Sequence, residues 1–387
     1  MNAAGDWLGA RNVLCIRLDN LGDVLMTVPA IRALRHGRAD RRITLLASPG
    51  AADVASMVPE IDATIAYEAP WMKASTNDDH LHDLAMRETL AAGHFDAAVI
   101  FTVYSQSALP GALLAYLAGI PLRAAHCREN PYRLLTHWIR ETEPAQWVRH
   151  EVERQLDLVV PLGASRAPSP PHLHVPAEAR ERVEKRLRSH GVASDEHLVV
   201  VHPGASAPSR RYPVGRFAAA VEDLVARRKC RVVVTGSAAE ADIVDALCED
   251  VSQPALVWGW AGTMDVREFA ALIERADLLI SNNTGPVHIA SSLGTPVVDL
   301  YALTNPQHGP WSVPHRTLFH DVPCRFCYRS VCPEGHHRCL LGVSAEEVVA
   351  AACELLDGTP AMPAPSPVRP AIAGSVVGWH DLRQEAA

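Results

Sequence analysis

Asp23 is the side chain with the clearest chemical opportunity in this chain. It lies in VLCIRLDNLGDVLMTVPAIRAL, residues 13–34, where an apolar strand runs into a polar loop and then into a helix carrying Gly22 and Asp23 at its start. This places a carboxylate at the C-terminal end of a strand, the edge of an open α/β sheet where ligands sit and where a base can meet them. In a purely structural role Asp23 would cap the helix, and the two roles are compatible.

A second strand-loop-helix unit, LLISNNTGPVHIASSLGTPVV at residues 278–298, reads as an anion site. Thr284 can cap, Gly285 lets the backbone approach a ligand, and Pro286 fits the first turn, where its missing N–H costs nothing. Free N–H groups and the helix dipole then favour phosphate. An ordinary capped helix with His288 packed on its first turn has the same pattern. HPGASAPSRRYP, residues 202–213, follows another strand with a small-residue loop and the guanidinium groups of Arg210 and Arg211. These either grip a diphosphate or sit in solvent. GSAAE, residues 236–240, puts Glu240 near a helix start, where it can accept hydrogen bonds from a ribose or complement the dipole.

CRFCYRSVCPEGHHRC, residues 324–339, gathers Cys324, Cys327, Cys332 and Cys339 beside His336 and His337. Four soft ligands in a short loop can close a structural zinc or iron site, with no open position left for catalysis. Reduced thiols or disulfides are the alternatives. The chain has nine cysteines, an odd number that argues against a full disulfide framework, and the other five read as small buried hydrophobes.

The elements that must position these groups alternate strand and helix. In the first part, strands fall at 13–17, 42–48, 61–67 and 95–103, with helices from residue 24 and over 80–92, which implies a parallel sheet with covering helices. A helix at 150–163 ends in glycine, and the Pro-rich stretch ASRAPSPPHLHVP at 164–176 marks a domain boundary. Alternation restarts with strands at 198–204, 231–236, 255–259, 277–281 and 296–301. The expected organisation is thus an N-terminal Rossmann-like domain at 1–163, a linker at 164–176, a C-terminal Rossmann-like domain at 177–357 and a disordered tail at 358–387.

A length of 387 residues suits two such domains, and 48% hydrophobic with 21% charged residues is typical of a globular protein. A formal net charge of -8 without a basic stripe argues against a nucleic-acid partner. The opening MNAAGDWLGARN lacks the basic region and apolar core of an export signal, and no apolar run approaches a membrane span, so a cytoplasmic location with at most peripheral membrane contact is expected. Neither GxGxxG after the first strand nor GxxxxGK[ST] is present, which disfavours nicotinamide and P-loop chemistry.

Four ordered stretches together resemble glycosyltransferase family 9, typified by the ADP-heptose:lipopolysaccharide heptosyltransferases: IRLDNLGDVLMTVPAIRAL, HEVERQLDL, HPGASAPSRRYPVGRFAAA, and ISNNTGPVHIASSLGTPVVDLY followed by NPQHGPW. The resemblance covers residues 13 to about 356. It implies the GT-B fold, two doubly wound domains facing across a cleft, with a glycan or lipid-linked acceptor held by the N-terminal half and a nucleotide sugar by the C-terminal half. It also implies an inverting transfer, most simply of heptose from ADP-heptose to a lipopolysaccharide-core acceptor, at the inner face of the cytoplasmic membrane. Asp23 falls on the family's general base, beside Gly22 on the acceptor side. Ser206, Arg210, Thr284 and Gly285 fall on the donor-phosphate loops with His288 nearby, and Glu240 on the ribose contact. No cofactor or divalent metal is then required for the chemistry. Arg210 stands where the family usually has lysine, and Asn283 where aspartate is common, so another nucleotide sugar, serving protein or natural-product glycosylation, is an alternative. A nucleotide-sugar-binding protein without catalysis is another.

Overall fold

The computed structural model describes residues 7–73, 75–145, 147–166, 173–193 and 196–358. The middle of the Pro-rich stretch, 167–172, and the tail from 359 onward lie outside the described residues.

Strands β1 (Asn12–Arg17), β2 (Arg42–Ala47), β3 (Ala63–Ala66), β4 (Ala97–Ile100), β5 (Leu122–Cys127) and β6 (His137–Arg140) form one sheet in the order β3-β2-β1-β4-β5-β6. Strands β7 (Leu198–His202), β8 (Arg231–Gly236), β9 (Val257–Ala261), β10 (Leu278–Asn282), β11 (Val297–Leu300) and β12 (His315–Leu318) form a second, in the order β12-β11-β10-β7-β8-β9. All pairings are parallel. Both sheets have the doubly wound order, with the strand order reversing between β1 and β4 and again between β7 and β10. Those two points are where such sheets open a crevice at their C-terminal edge.

Central strands are apolar throughout because both faces are covered: Val13 to Ile16 and Leu198 to Val201 are buried. The sequence reading misses β5, β6 and β12. Strand β5, LRAAHC, has alanines where β-branched residues would signal a strand, while β6 and β12 are four-residue strands with charged or polar ends.

Three helices position the site: α1 (Leu21–His36), α2 (Glu151–Val159) and α3 (Gly285–Leu293). Helix α1 is buried on nearly every side, from Val24 through Leu34, because it lies between the two sheets. Its first turn meets that of α3: a Cβ on Gly22 would lie 2.5 Å from the His288 ring, so only glycine permits this approach. One apolar cluster, including Val24, Ile31, Val152, Ala270 and Val287, runs through both halves. Among the described residues no helix is long and apolar enough to cross a membrane.

Candidate active site at the junction of the two sheets

Strand β1 ends in Arg17, whose guanidinium is fully buried among three carboxylates. It lies 2.9 Å from Asp19, 3.1 Å from Asp23 and 3.0 Å from Glu151. Asp23 is the third residue of α1, and its carboxylate turns back to the Asn20 N–H as well as to Arg17. It does not act as the N-cap itself, since that position belongs to Asn20. Gln155 donates to Glu151 at 2.6 Å, and Gln106 from the loop after β4 donates to Asp19 at 2.6 Å. Asp23 keeps 16% of its side chain exposed, whereas Arg17 and Glu151 keep none, so of these three only Asp23 stays accessible from the crevice.

The charges are unequal in consequence. Burial pushes Glu151 upward, but Arg17, Arg154, His308 and the Gln155 hydrogen bond outweigh it and hold the carboxyl at about 2. Burial raises Asp23, Arg17 opposes the shift, and the charge of Glu151 adds to it, leaving Asp23 above its ordinary value. A permanently ionised Glu151 therefore makes its neighbour a stronger base.

A cavity of about 250 Å³ opens beside this network at the C-terminal ends of β1 and β4, lined by Asp19, Trp71, Met72, Phe101, Gln106 and Pro110 among others. Its apolar walls with a carboxylate and an amide suit a ligand that has both faces and hydroxyls. Neither Lys73 nor Arg128 lines this cavity, and Arg128 donates to Tyr104 O and Glu143 O instead.

Across the junction stand the loops after β7 and β10 and the loop following β11. His308 Nε2 lies 4.0 Å from Asp23 Oδ1. Asn305 Nδ2 donates to His308 Nδ1 at 3.0 Å, which leaves the proton on Nε2, a buried donor with no hydrogen-bond partner among the described residues. Burial lowers His308 to about 4, so the ring is neutral at physiological pH. Arg210 Nη2 donates to Asn305 Oδ1 at 3.3 Å, and Asn283 donates to His308 O at 2.9 Å. A short hydrogen-bonded relay thus joins Arg210, Asn305, His308 and Asn283, and stops 4.0 Å short of Asp23. His288 is buried against Gly22, and burial followed by the neighbouring His308, His150 and Arg210 lowers it to about 3.

Asn283 also donates to Asp299 at 3.1 Å, and burial raises Asp299 to about 8 despite that bond. Thr284 occupies the N-cap of α3 but its hydroxyl donates to Asn282 O, not to the helix, because the side chain is drawn back toward the strand end. Gly285 packs against Leu21 of α1. Glu240 accepts from the N–H and hydroxyl of Ser237, both at 2.8 Å, and lies against Gly204, where a Cβ would come within 2.1 Å of its carboxylate. It therefore sits at the β7 and β8 end of the crevice. Ser206 is exposed on the same loop as Arg210.

The cysteine segment departs from the metal expectation. Among the described residues, no three or more His, Cys, Asp or Glu side chains are grouped to hold a metal ion. Cys324 Sγ lies 3.8 Å from His336 Nε2, but Cys324 and Cys339 pack with Phe326 against Tyr301, Leu303 and Val322. His337 is turned to Ser209 O at 2.7 Å. Cys324, Cys327, Cys332 and Cys339 are all free thiols, with Cys324 and Cys339 serving as small apolar residues.

Sequence alone does not single out Arg17, Glu151, His308 and Asn305, although each lies within one of the stretches that resemble the family. Arg17 carries a local signal, a charge ending an otherwise apolar strand; Glu151 begins a helix that is itself rich in charge, and Asn305 and His308 lie in a polar loop.

Residues 84–337 match the profile of glycosyltransferase family 9 (heptosyltransferase). The chain is 27% identical over 296 residues to lipopolysaccharide heptosyltransferase 3 of Escherichia coli, spanning 75% of this chain and 84% of that protein. Among solved structures it resembles a family 9 glycosyl transferase from Veillonella parvula, with a TM-score of 0.75 and 24% identity over 89% of this chain and 97% of that one. It also resembles the E. coli ADP-heptose LPS heptosyltransferase II, with a TM-score of 0.70 and 22% identity over 89% and 98%. The likeness in architecture makes the fold GT-B. With more than half of its length matched by the family profile, the chain belongs to glycosyltransferase family 9, the heptosyltransferase family.

Proposed function

We propose that this glycosyltransferase moves heptose from ADP-heptose to a lipopolysaccharide-core acceptor with inversion at the anomeric carbon, and that Asp23 is the general base. The observation that carries the reading is the placement of Asp23. It is an accessible carboxylate raised above its ordinary value, at the end of β1, 4.0 Å from the unpartnered His308 Nε2 on the opposite side of the junction. The names of similar proteins support the donor and acceptor class.

In this reading the cavity beside Asp19 receives the acceptor, and residues 1–163 form the acceptor domain. The acceptor hydroxyl gives its proton to Asp23 as its oxygen bonds to the anomeric carbon. The bond from that carbon to the diphosphate breaks on the opposite face, and its electron pair leaves with ADP. Residues 177–357 hold the donor. Arg210, Ser206 and the first-turn amides of α3 near Thr284 and Gly285 meet the diphosphate, with Asn283 and His288 shaping the pocket and Glu240 accepting from the ribose. Arg210 and the helix dipole then carry the leaving-group charge without a divalent ion. Because the acceptor is lipid-linked, contact with the inner face of the cytoplasmic membrane is peripheral.

The test is thermal stability against ADP-, UDP-, GDP- and dTDP-linked sugars, followed by transfer onto a core acceptor and NMR of the new anomeric centre. A ligand at about a hundred times its dissociation constant stabilises by roughly 2.7 kcal/mol if it binds only the folded state. Selective stabilisation by ADP-heptose with an inverted product is expected. A response to a different nucleotide sugar discards the heptosyl assignment, and a retained configuration discards the single-displacement role of Asp23.

A further inference from the structure

The cysteine segment lies directly on the loop that presents Arg210. Ser209, the residue before Arg210, is buried, and all three of its hydrogen-bonding groups are taken by this segment. Its N–H donates to Ser330 O at 3.0 Å, its hydroxyl donates to Arg329 O at 2.8 Å, and its carbonyl faces His337 Nε2 at 2.7 Å. The side chain of Arg210 is tied in from the other end. It donates to Asn305 Oδ1, which also accepts from the Thr304 hydroxyl, while Thr304 O accepts the N–H of Tyr328 at 2.8 Å.

Tyr328 also reaches the N-terminal half. Its ring meets that of Tyr104 edge-on, 6.2 Å between centroids, and the two hydroxyls are hydrogen-bonded. The two residues that make these outward contacts, Tyr328 and His337, have φ values of 54° and 49°, in the left-handed region that bulky side chains avoid. Such a conformation is sterically strained and persists where the surroundings impose it. Here it coincides with the two side chains that leave the segment to grip its neighbours, while Cys324, Phe326 and Cys339 anchor its inner face.

We infer that residues 324–337 are a clamp that holds Arg210 in position for the donor diphosphate, with Ser209, His337 and Tyr328 as positioning residues. The inference rests on the reading of Arg210 as a diphosphate contact. Removing a grip lets the 207–211 loop sample arrangements in which the guanidinium is misplaced, so donor affinity falls while the base and the acceptor side are unaffected.

The probe is ADP, with affinity measured by calorimetry, together with deuterium exchange of amides 207–211 and steady-state kinetics. His337→Ala and Ser209→Ala are each expected to weaken ADP binding about tenfold. They should raise the donor KM with little change in kcat, and speed exchange in that loop. His337→Gln keeps an N–H donor and is expected to restore most of the affinity. Tyr328→Phe, which loses only a hydroxyl, should give a smaller loss in the same direction. In an Arg210→Ala background, His337→Ala is expected to add almost nothing, since its effect passes through Arg210. Wild-type protein that binds ADP while His337→Ala binds it equally well overturns the clamp alone, as does a His337→Ala penalty of full size in the Arg210→Ala background. Wild-type protein that fails to bind ADP overturns the donor reading and the clamp with it.

Discussion

The two sheets share one topology, yet the crevice edge of the first gathers buried carboxylates and that of the second is built largely of neutral rings and amides. At the end of β1, three carboxylates surround one buried arginine. At the ends of β7 and β10, His202 and His288 are lowered to about 4 and about 3, and asparagines take the hydrogen bonds, with Arg210 the cation of the relay. The same backbone frame thus serves two chemistries. Burial, with the charge of Glu151 added to it, makes Asp23 a stronger base, whereas neutral rings and amide donors leave the facing edge ready for an anion.

The contrast breaks most severely at Arg17. Arg17→Met leaves three carboxylates without their cation and is expected to cost about 3–5 kcal/mol of stability, visible in urea unfolding, with activity lost alongside. Replacing Arg210 acts on the other side. Arg210→Ala should weaken ADP binding roughly 10- to 100-fold in calorimetry with the fold intact, and Arg210→Lys should recover part of it, since charge returns without the planar fork.

A finer separation comes from Glu151→Gln. Removing that charge lowers Asp23 toward its ordinary value, so the acid limb of the kcat/KM profile should move to lower pH. A weaker base should also slow the rate by less than about tenfold. ADP affinity is expected to stay the same, and an acid limb that does not move would show that Glu151 does not tune the base. The smallest effect belongs to Asp299. Its folded value of about 8 lies above that of an unfolded aspartate, so its contribution to stability is complete below about pH 4 and is lost as pH rises through about 8. Asp299→Asn should flatten the decline in thermal stability between pH 5 and 8 and gain most at the alkaline end.

The frame of both edges was legible in the sequence because central parallel strands are unbroken apolar runs and each site loop follows one. Asp23, Arg210 and the start of α3 stand out for that reason. The partners were not legible. Arg17 and Glu151 are 134 residues apart, and nothing local to either shows that the doubly wound order brings them to one point. His308 follows no strand directly, so its place opposite Asp23 depends on how the two halves dock. The cysteine spacing suggested metal ligands, but spacing alone does not report which thiols pack into an apolar cluster and which histidine turns to the Arg210 loop.

The division of labour is tested most directly by measuring turnover and donor affinity together in Asp23→Asn, whose shape is nearly that of the wild type. A fall in kcat of about 10³-fold with an unchanged dissociation constant for ADP-heptose is expected. A variant that keeps its turnover, or that loses donor affinity in proportion to rate, would contradict the assignment of proton transfer to the first sheet and donor binding to the second.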